Sequence, residues 1–142
     1  MNQDIWTKFA DYPDNVTAQL KRIENTIMVV AANLNAGKVK ASLKWGEASY
    51  LVEGGSAIRI DWKSKQPDVV KVLFHCQTSL VSTFREVYPK AFEYEGNRAL
   101  LIPLTVNLAE TPIAECISLA LTYQNIKHLP LLGAWPTDNA SI

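Results

Sequence analysis

The chain is predicted to be an α+β protein, an antiparallel β-sheet with its helices packed on one face. Three observations lead there. A long run with apolar residues at steps of three and four opens the chain. A stretch of alternating residues broken by turn signals follows, and two further helical patterns flank a second hairpin. At 142 residues, 48% apolar and 20% charged, the chain has the composition of one folded domain with a single core, spanning 1–142.

Pro13 suits a first helical position, and Val16, Leu20, Ile23, Ile27, Val30 and Leu34 then recur on one face, a helix of about six turns closing near Asn35-Ala-Gly37. From Lys40 to Phe74 the period becomes two, giving four short strands. Glu53-Gly-Gly-Ser56 reads as a tight hairpin. With Gly54 and Gly55 as its loop, Tyr50 lies opposite Arg59 and Leu51 opposite Ile58. That register sends Leu51, Ile58, Ile60 and Trp62 to the core, and Tyr50, Arg59 and Asp61 to the other face. In the next strand Val70, Val72, Phe74 and Cys76 share the core parity, while Lys71, Leu73 and His75 oppose them.

Thr78 or Ser79 caps a helix carrying Leu80, Val81, Phe84 and Val87, which stops at Tyr88-Pro89. A second hairpin joins Phe92-Tyr94 to Leu100-Ile102, with a two-residue and a three-residue loop both open. Thr111 and Pro112 start the last helix, whose stripe is Ile113, Cys116, Ile117, Ala120, Leu121 and Gln124; Lys127 and His128 sit at its C-terminal end before Pro130.

Fourteen basic residues balance fourteen acidic ones. Binding to nucleic acid or to an anionic membrane is therefore not expected. The first residues lack a signal-peptide pattern, and no apolar run is long enough to span a bilayer, so a cytoplasmic location is expected. Cys76 and Cys116 are then free thiols, and no HxxxH, HExxH or CxxC spacing offers a metal site. Adjacent residues of a strand point to opposite faces, so His75 and Cys76 are not expected to act on one atom. Cys76 is expected to face the core.

The candidate site lies on the open sheet face. Aromatic walls with convergent cations describe many ligand pockets, and Lys44, Trp45, Tyr50, Arg59 and His75 offer both. Arg98, expected to be braced by Glu95 or Glu93 beside the Gly96-Asn97 turn, completes the ligand-binding set. The competing reading makes Trp45 and Trp62 the rim of the core and stacks Arg59 on Tyr50. No catalytic residues are assigned. The expected function is a non-enzymatic binding module for a small anionic ligand or a protein partner, with a homodimer through the sheet face as a further use of that surface.

Four blocks together resemble the bacterial YdhG-like domain of unknown function: LKWGEASYLVEGG at 43–55, IRIDWKSKQPDVVKVLFHCQTSLVSTFREVYP at 58–89, FEYEGNRALLIPL at 92–104 and ALTYQNIKHLPLLG at 120–133. The resemblance covers about residues 10–134 and leaves a short tail at 135–142. It implies the same α+β layout. It also implies an alternative function, since a frataxin-like iron chaperone has been proposed within that family; iron is the one cofactor so suggested. The long first helix departs from a frataxin ridge, with Asp14 and Glu24 set against Lys21 and Arg22. A thiol enzyme using Cys76 is the third reading.

Overall fold

The computed structural model describes residues 2–135; the expected tail beyond Trp135 lies outside the described residues. The predicted α+β class is observed. A six-stranded antiparallel sheet runs in the order β1-β2-β3-β4-β6-β5, with β1 Lys40–Lys44, β2 Glu47–Leu51, β3 Ile58–Asp61, β4 Val69–Phe74, β5 Glu93–Glu95 and β6 Ala99–Pro103. Around it lie α1 Gln3–Ala10, α2 Asp14–Asn33, α3 Leu80–Val87, α4 Ile113–Leu121 and the single turn α5 Tyr123–Ile126. No described helix is long and apolar enough to cross a membrane.

The stripe of α2 does what its spacing requires: Val16, Leu20, Ile23 and Ile27 are fully buried, though the stripe ends early and Leu34 is exposed. They pack on Ala48, Ile58, Ile60, Val70, Val72, Phe74, Leu100 and Ile102, the inward residues of four neighbouring strands. Burying a side chain of this kind contributes about 1.5–3 kcal/mol relative to leaving it in water. Buried Gln19 is satisfied by donating from Nε2 to the carbonyls of Pro103 and Val106 at 3.0 and 3.2 Å, which ties α2 to the end of β6.

One helix was not expected. Asn2 caps α1 by accepting from the amides of Asp4 and Ile5, and its Nδ2 donates to the carbonyl of Ala41 on edge strand β1. Ile5 and Phe9, four apart, bury one face of the helix. The predicted last helix is also broken: α4 ends at Leu121, Thr122 leaves helical geometry, and Gln124 is exposed instead of buried.

The β2–β3 register corrects the expectation by one residue. Tyr50 pairs with Ile58 and Ser49 with Arg59. Tyr50 is therefore in the core and Leu51 on the other side, the reverse of the predicted facing. The loop runs through six residues, 52–57, because its glycines do a different job. Gly54 takes φ +83°, and Gly55 lies so close to α4 that an added Cβ would sit 2.8 Å from the Leu121 carbonyl oxygen. The Ser56 amide donates to the Ala120 carbonyl at 2.8 Å, and Gln124 donates to that of Gly54 at 3.0 Å. This loop thus meets a helix C-terminus that would otherwise carry free carbonyls.

Asp61, also expected outward, is buried at the end of β3, where it accepts from the Tyr12 hydroxyl at 2.5 Å and pairs with Lys63 at 2.9 Å. Trp62, expected in the core, is partly buried against Tyr12 and donates to the Pro67 carbonyl.

Candidate ligand-binding pocket

The sheet face away from the helices is not flat. Between the tips of the β1–β2 and β5–β6 hairpins lies a concavity of about 460 Å³, whose walls include Trp45, Arg59, His75 and Arg98. Four of the six residues expected to bind ligand are thus brought together, although they come from four separate segments.

Strand pairing explains the convergence. Arg59 faces Leu73 across β3–β4, and Leu73 faces Ala99 across β4–β6. Leu73 forms apolar floor. Arg98 precedes Ala99, and its carbonyl accepts from the Phe74 amide at 2.7 Å, which fixes the hairpin tip beside the end of β4. The loop is the three-residue alternative, Gly96-Asn97-Arg98, since Glu95 pairs with Ala99.

At Phe74 the strand stops, and alternation stops with it. The chain turns, with the Thr78 amide donating to the His75 carbonyl at 3.0 Å and Asn97 Nδ2 donating to that of Cys76 at 2.9 Å. His75 and Cys76 therefore line the same concavity, and Cys76 is exposed, not buried as predicted. The Gln77 amide donates to His75 Nδ1 at 3.1 Å. That bond holds the neutral ring in the tautomer with its proton on Nε2.

Electrostatically the pocket is a pair of guanidiniums around one carboxylate. Glu47 Oε1 lies 3.4 Å from Arg59 Nη1 and 3.8 Å from Arg98 Nη2. Both distances exceed the roughly 2.7–2.9 Å of a strong charge-assisted hydrogen bond. Each guanidinium offers about five N–H donors, so most of the donor capacity is left for another acceptor. The expected brace is corrected here: Arg98 turns to Glu47, while Glu95 is hydrogen-bonded at 2.7 Å by Lys71, which lowers its carboxyl below the ordinary value.

Trp45 occupies the tip of the β1–β2 hairpin, where Lys44 pairs with Glu47 across a two-residue turn. Both turn residues have positive φ, +55° at Trp45 and +79° at Gly46. Asn or Gly usually fills such a position. The indole is 93% exposed.

Two expected site residues lie elsewhere. Lys44 is exposed on the open face but outside the pocket. Tyr50 is buried, and its hydroxyl donates to Glu24 Oε2 at 2.5 Å, so it neither lines the pocket nor stacks on Arg59. Sequence reasoning missed Glu47 and Leu73. Glu47 shares the parity of Ser49 and Arg59, a signal that the wrong hairpin register concealed.

The same Tyr50 bond keeps Glu24 in the core. Among the described residues no group of three or more His, Cys, Asp and Glu side chains is placed to hold a metal ion. No family model, curated protein or solved structure matches the chain.

Proposed function

We propose that the chain is a cytoplasmic YdhG-like domain that acts as a binding module, receiving a small anionic ligand in the pocket between the two hairpin tips. The family part of this reading rests on the four sequence blocks. The ligand part rests on a single observation: two arginines, Arg59 and Arg98, share one carboxylate, Arg59 through one long hydrogen bond of 3.4 Å and Arg98 at 3.8 Å, so most of their N–H donors are left for another acceptor. A concave site of about 460 Å³ with an apolar floor suits a small molecule better than the broad surface of a protein partner.

The test is a titration of the purified protein with inorganic phosphate and with small carboxylates, followed by amide and side-chain NMR shifts at low salt. Shifts are expected at Arg59, His75, Cys76 and Arg98, with affinity falling at least about tenfold in both Arg59→Gln and Arg98→Gln. A charge pair released from one partner costs on the order of 1.4 kcal/mol or more, which corresponds to that factor. Wild-type affinity in both variants removes the reading.

A further inference from the structure

The anion pocket carries a residue that its charge does not explain. Trp45 lines the cavity, yet among the described residues its indole makes no ring contact and no hydrogen bond. It is also held on a left-handed backbone, φ +55°, at a turn where a β-carbon is disfavoured. A large apolar ring left 93% in water at such a position contributes little to the fold.

The neighbouring surfaces narrow what that ring would meet. Leu73, paired with Arg59 on one side and with Ala99 next to Arg98 on the other, puts apolar floor between the two guanidiniums, and His75 and Cys76 continue the wall, so apolar surface lies within reach of the charged groups. Resting on the anion-binding reading, we infer that the ligand is an acid carried on a flat aromatic ring. The acid group engages Arg59 and Arg98, and the ring lies against the indole of Trp45. An indole gains from a planar partner through offset stacking beyond the area both bury, a gain that a saturated ring of equal size does not receive. The arginine planes add a second surface on which a flat ring stacks. The left-handed turn then has a use, since it sets the indole in the pocket wall at the hairpin tip.

The experiment compares two probes of equal charge and similar bulk, naphthalene-2-carboxylate and the saturated decahydronaphthalene-2-carboxylate, by calorimetry on the full chain. Wild type is expected to prefer the aromatic acid by about tenfold. Trp45→Ala should remove most of that preference, weakening the aromatic acid more than the saturated one, and Trp45→Phe should retain part of it. The indole N–H resonance of Trp45 should shift with the aromatic probe alone. If both acids bind equally in wild type and both are weakened by Arg59→Gln, the anion site stands and the aromatic inference is overturned. If neither acid responds to Arg59→Gln or Arg98→Gln, the anion site falls, and the aromatic inference with it. Because Trp45 is exposed at a hairpin tip, thermal unfolding of Trp45→Ala at the wild-type temperature confirms that a lost preference is not a lost fold.

Discussion

The hydroxyl of Tyr50 donates to Glu24 Oε2 at 2.5 Å, joining β2 to α2 through the interior of the protein. Tyr50 is fully buried and Glu24 nearly so, which makes this a polar bond in a low-dielectric core. Its removal from one side is costly because the remaining group has neither water nor partner. Tyr50→Phe is expected to destabilise the protein by about 2–4 kcal/mol in urea unfolding. The double variant Tyr50→Phe with Glu24→Leu should recover part of that loss. Ligand binding in the pocket should be unchanged in folded Tyr50→Phe; weakened binding would return Tyr50 to the site from which its facing removes it.

Alkaline pH attacks the same interior. Burial, aided by Glu24, pushes the Tyr50 phenol well above its ordinary 10.0. Burial does likewise at Tyr12, with help from Asp61, and at Tyr94, with help from Cys116; the Cys116 thiol rises above its ordinary 9.0 for the same first reason. In each case the folded state keeps a proton that the unfolded chain gives up. The stability this represents is complete below the unfolded values and declines as pH rises toward the folded ones. Stability should therefore be flat from neutral pH to about 8.5 and fall beyond it. Between pH 10 and 11 the fully buried Tyr50 should cost about 1 kcal/mol, and the partly buried Tyr12 and Tyr94, screened by solvent, should each add less. Urea midpoints measured from pH 7 to 11 check this, and a midpoint that does not move would show that the phenols titrate as they do in water.

Glu47 is the pocket's internal anion. It answers two guanidiniums with one oxygen, at 3.4 and 3.8 Å, so a ligand acid competes with it for the same donors. Glu47→Gln should strengthen binding of phosphate or a carboxylate several-fold, because a neutral amide holds the arginines less firmly. Partly exposed pairs of this kind are worth about 1 kcal/mol or less, so the change in unfolding free energy should be small. Weaker anion binding in Glu47→Gln would mean that the carboxylate positions the arginines and does not compete.

Much of this fold could be read from residue spacing. The α2 stripe, the four strands from Lys40 to Phe74, α3 with its stop at Tyr88-Pro89, and the start of α4 all follow from local periodicity and capping chemistry. The errors arise where a tertiary contact decides. Gly54 and Gly55 resemble a hairpin turn in sequence, but Gly55 is there to let the loop approach Leu121, which lies 66 positions away by residue number. A shift of one residue in the β2–β3 register exchanges the facings of Tyr50 and Leu51 and decides whether Glu47 shares the face of Arg59. Cys76 departs from its expected facing for a simpler reason: it lies two residues past the strand's last residue, Phe74, where alternation no longer holds. The convergence of Trp45, Arg59, His75 and Arg98 was legible only in part, because it depends on β6 inserting between β4 and β5.

The close approach of Gly55 to α4 is open to measurement. A methyl group there would meet the Leu121 carbonyl oxygen at 2.8 Å, the Leu121 Cα at 3.1 Å and Val52 Cγ2 at 3.1 Å. Two of the three are backbone atoms of α4, which cannot turn aside as a flexible side chain does. Gly55→Ala should therefore destabilise by about 1–3 kcal/mol. Gly96→Ala, where nothing lies within 4 Å, should cost only the strain of a β-carbon at φ +56°, about 1 kcal/mol. Equal losses in the two variants would show that backbone conformation, and not contact with α4, sets the requirement at Gly55.

The two cysteines provide a last check, one that reads the pocket and the core at once. Cys116 is fully buried on α4, and Cys76 is exposed beside His75 in the pocket wall. Iodoacetamide reaches a thiolate only where solvent does, so native protein should take up one equivalent, at Cys76, and a second only after unfolding in urea. Saturating naphthalene-2-carboxylate should slow the first reaction several-fold, since a ligand filling the cavity covers the thiol from the open side. Labelling of Cys116 at the same rate as Cys76 would contradict the packing of α4 against α2. Labelling of Cys76 that proceeds unchanged under a ligand shown by calorimetry to be bound would place that ligand outside the pocket.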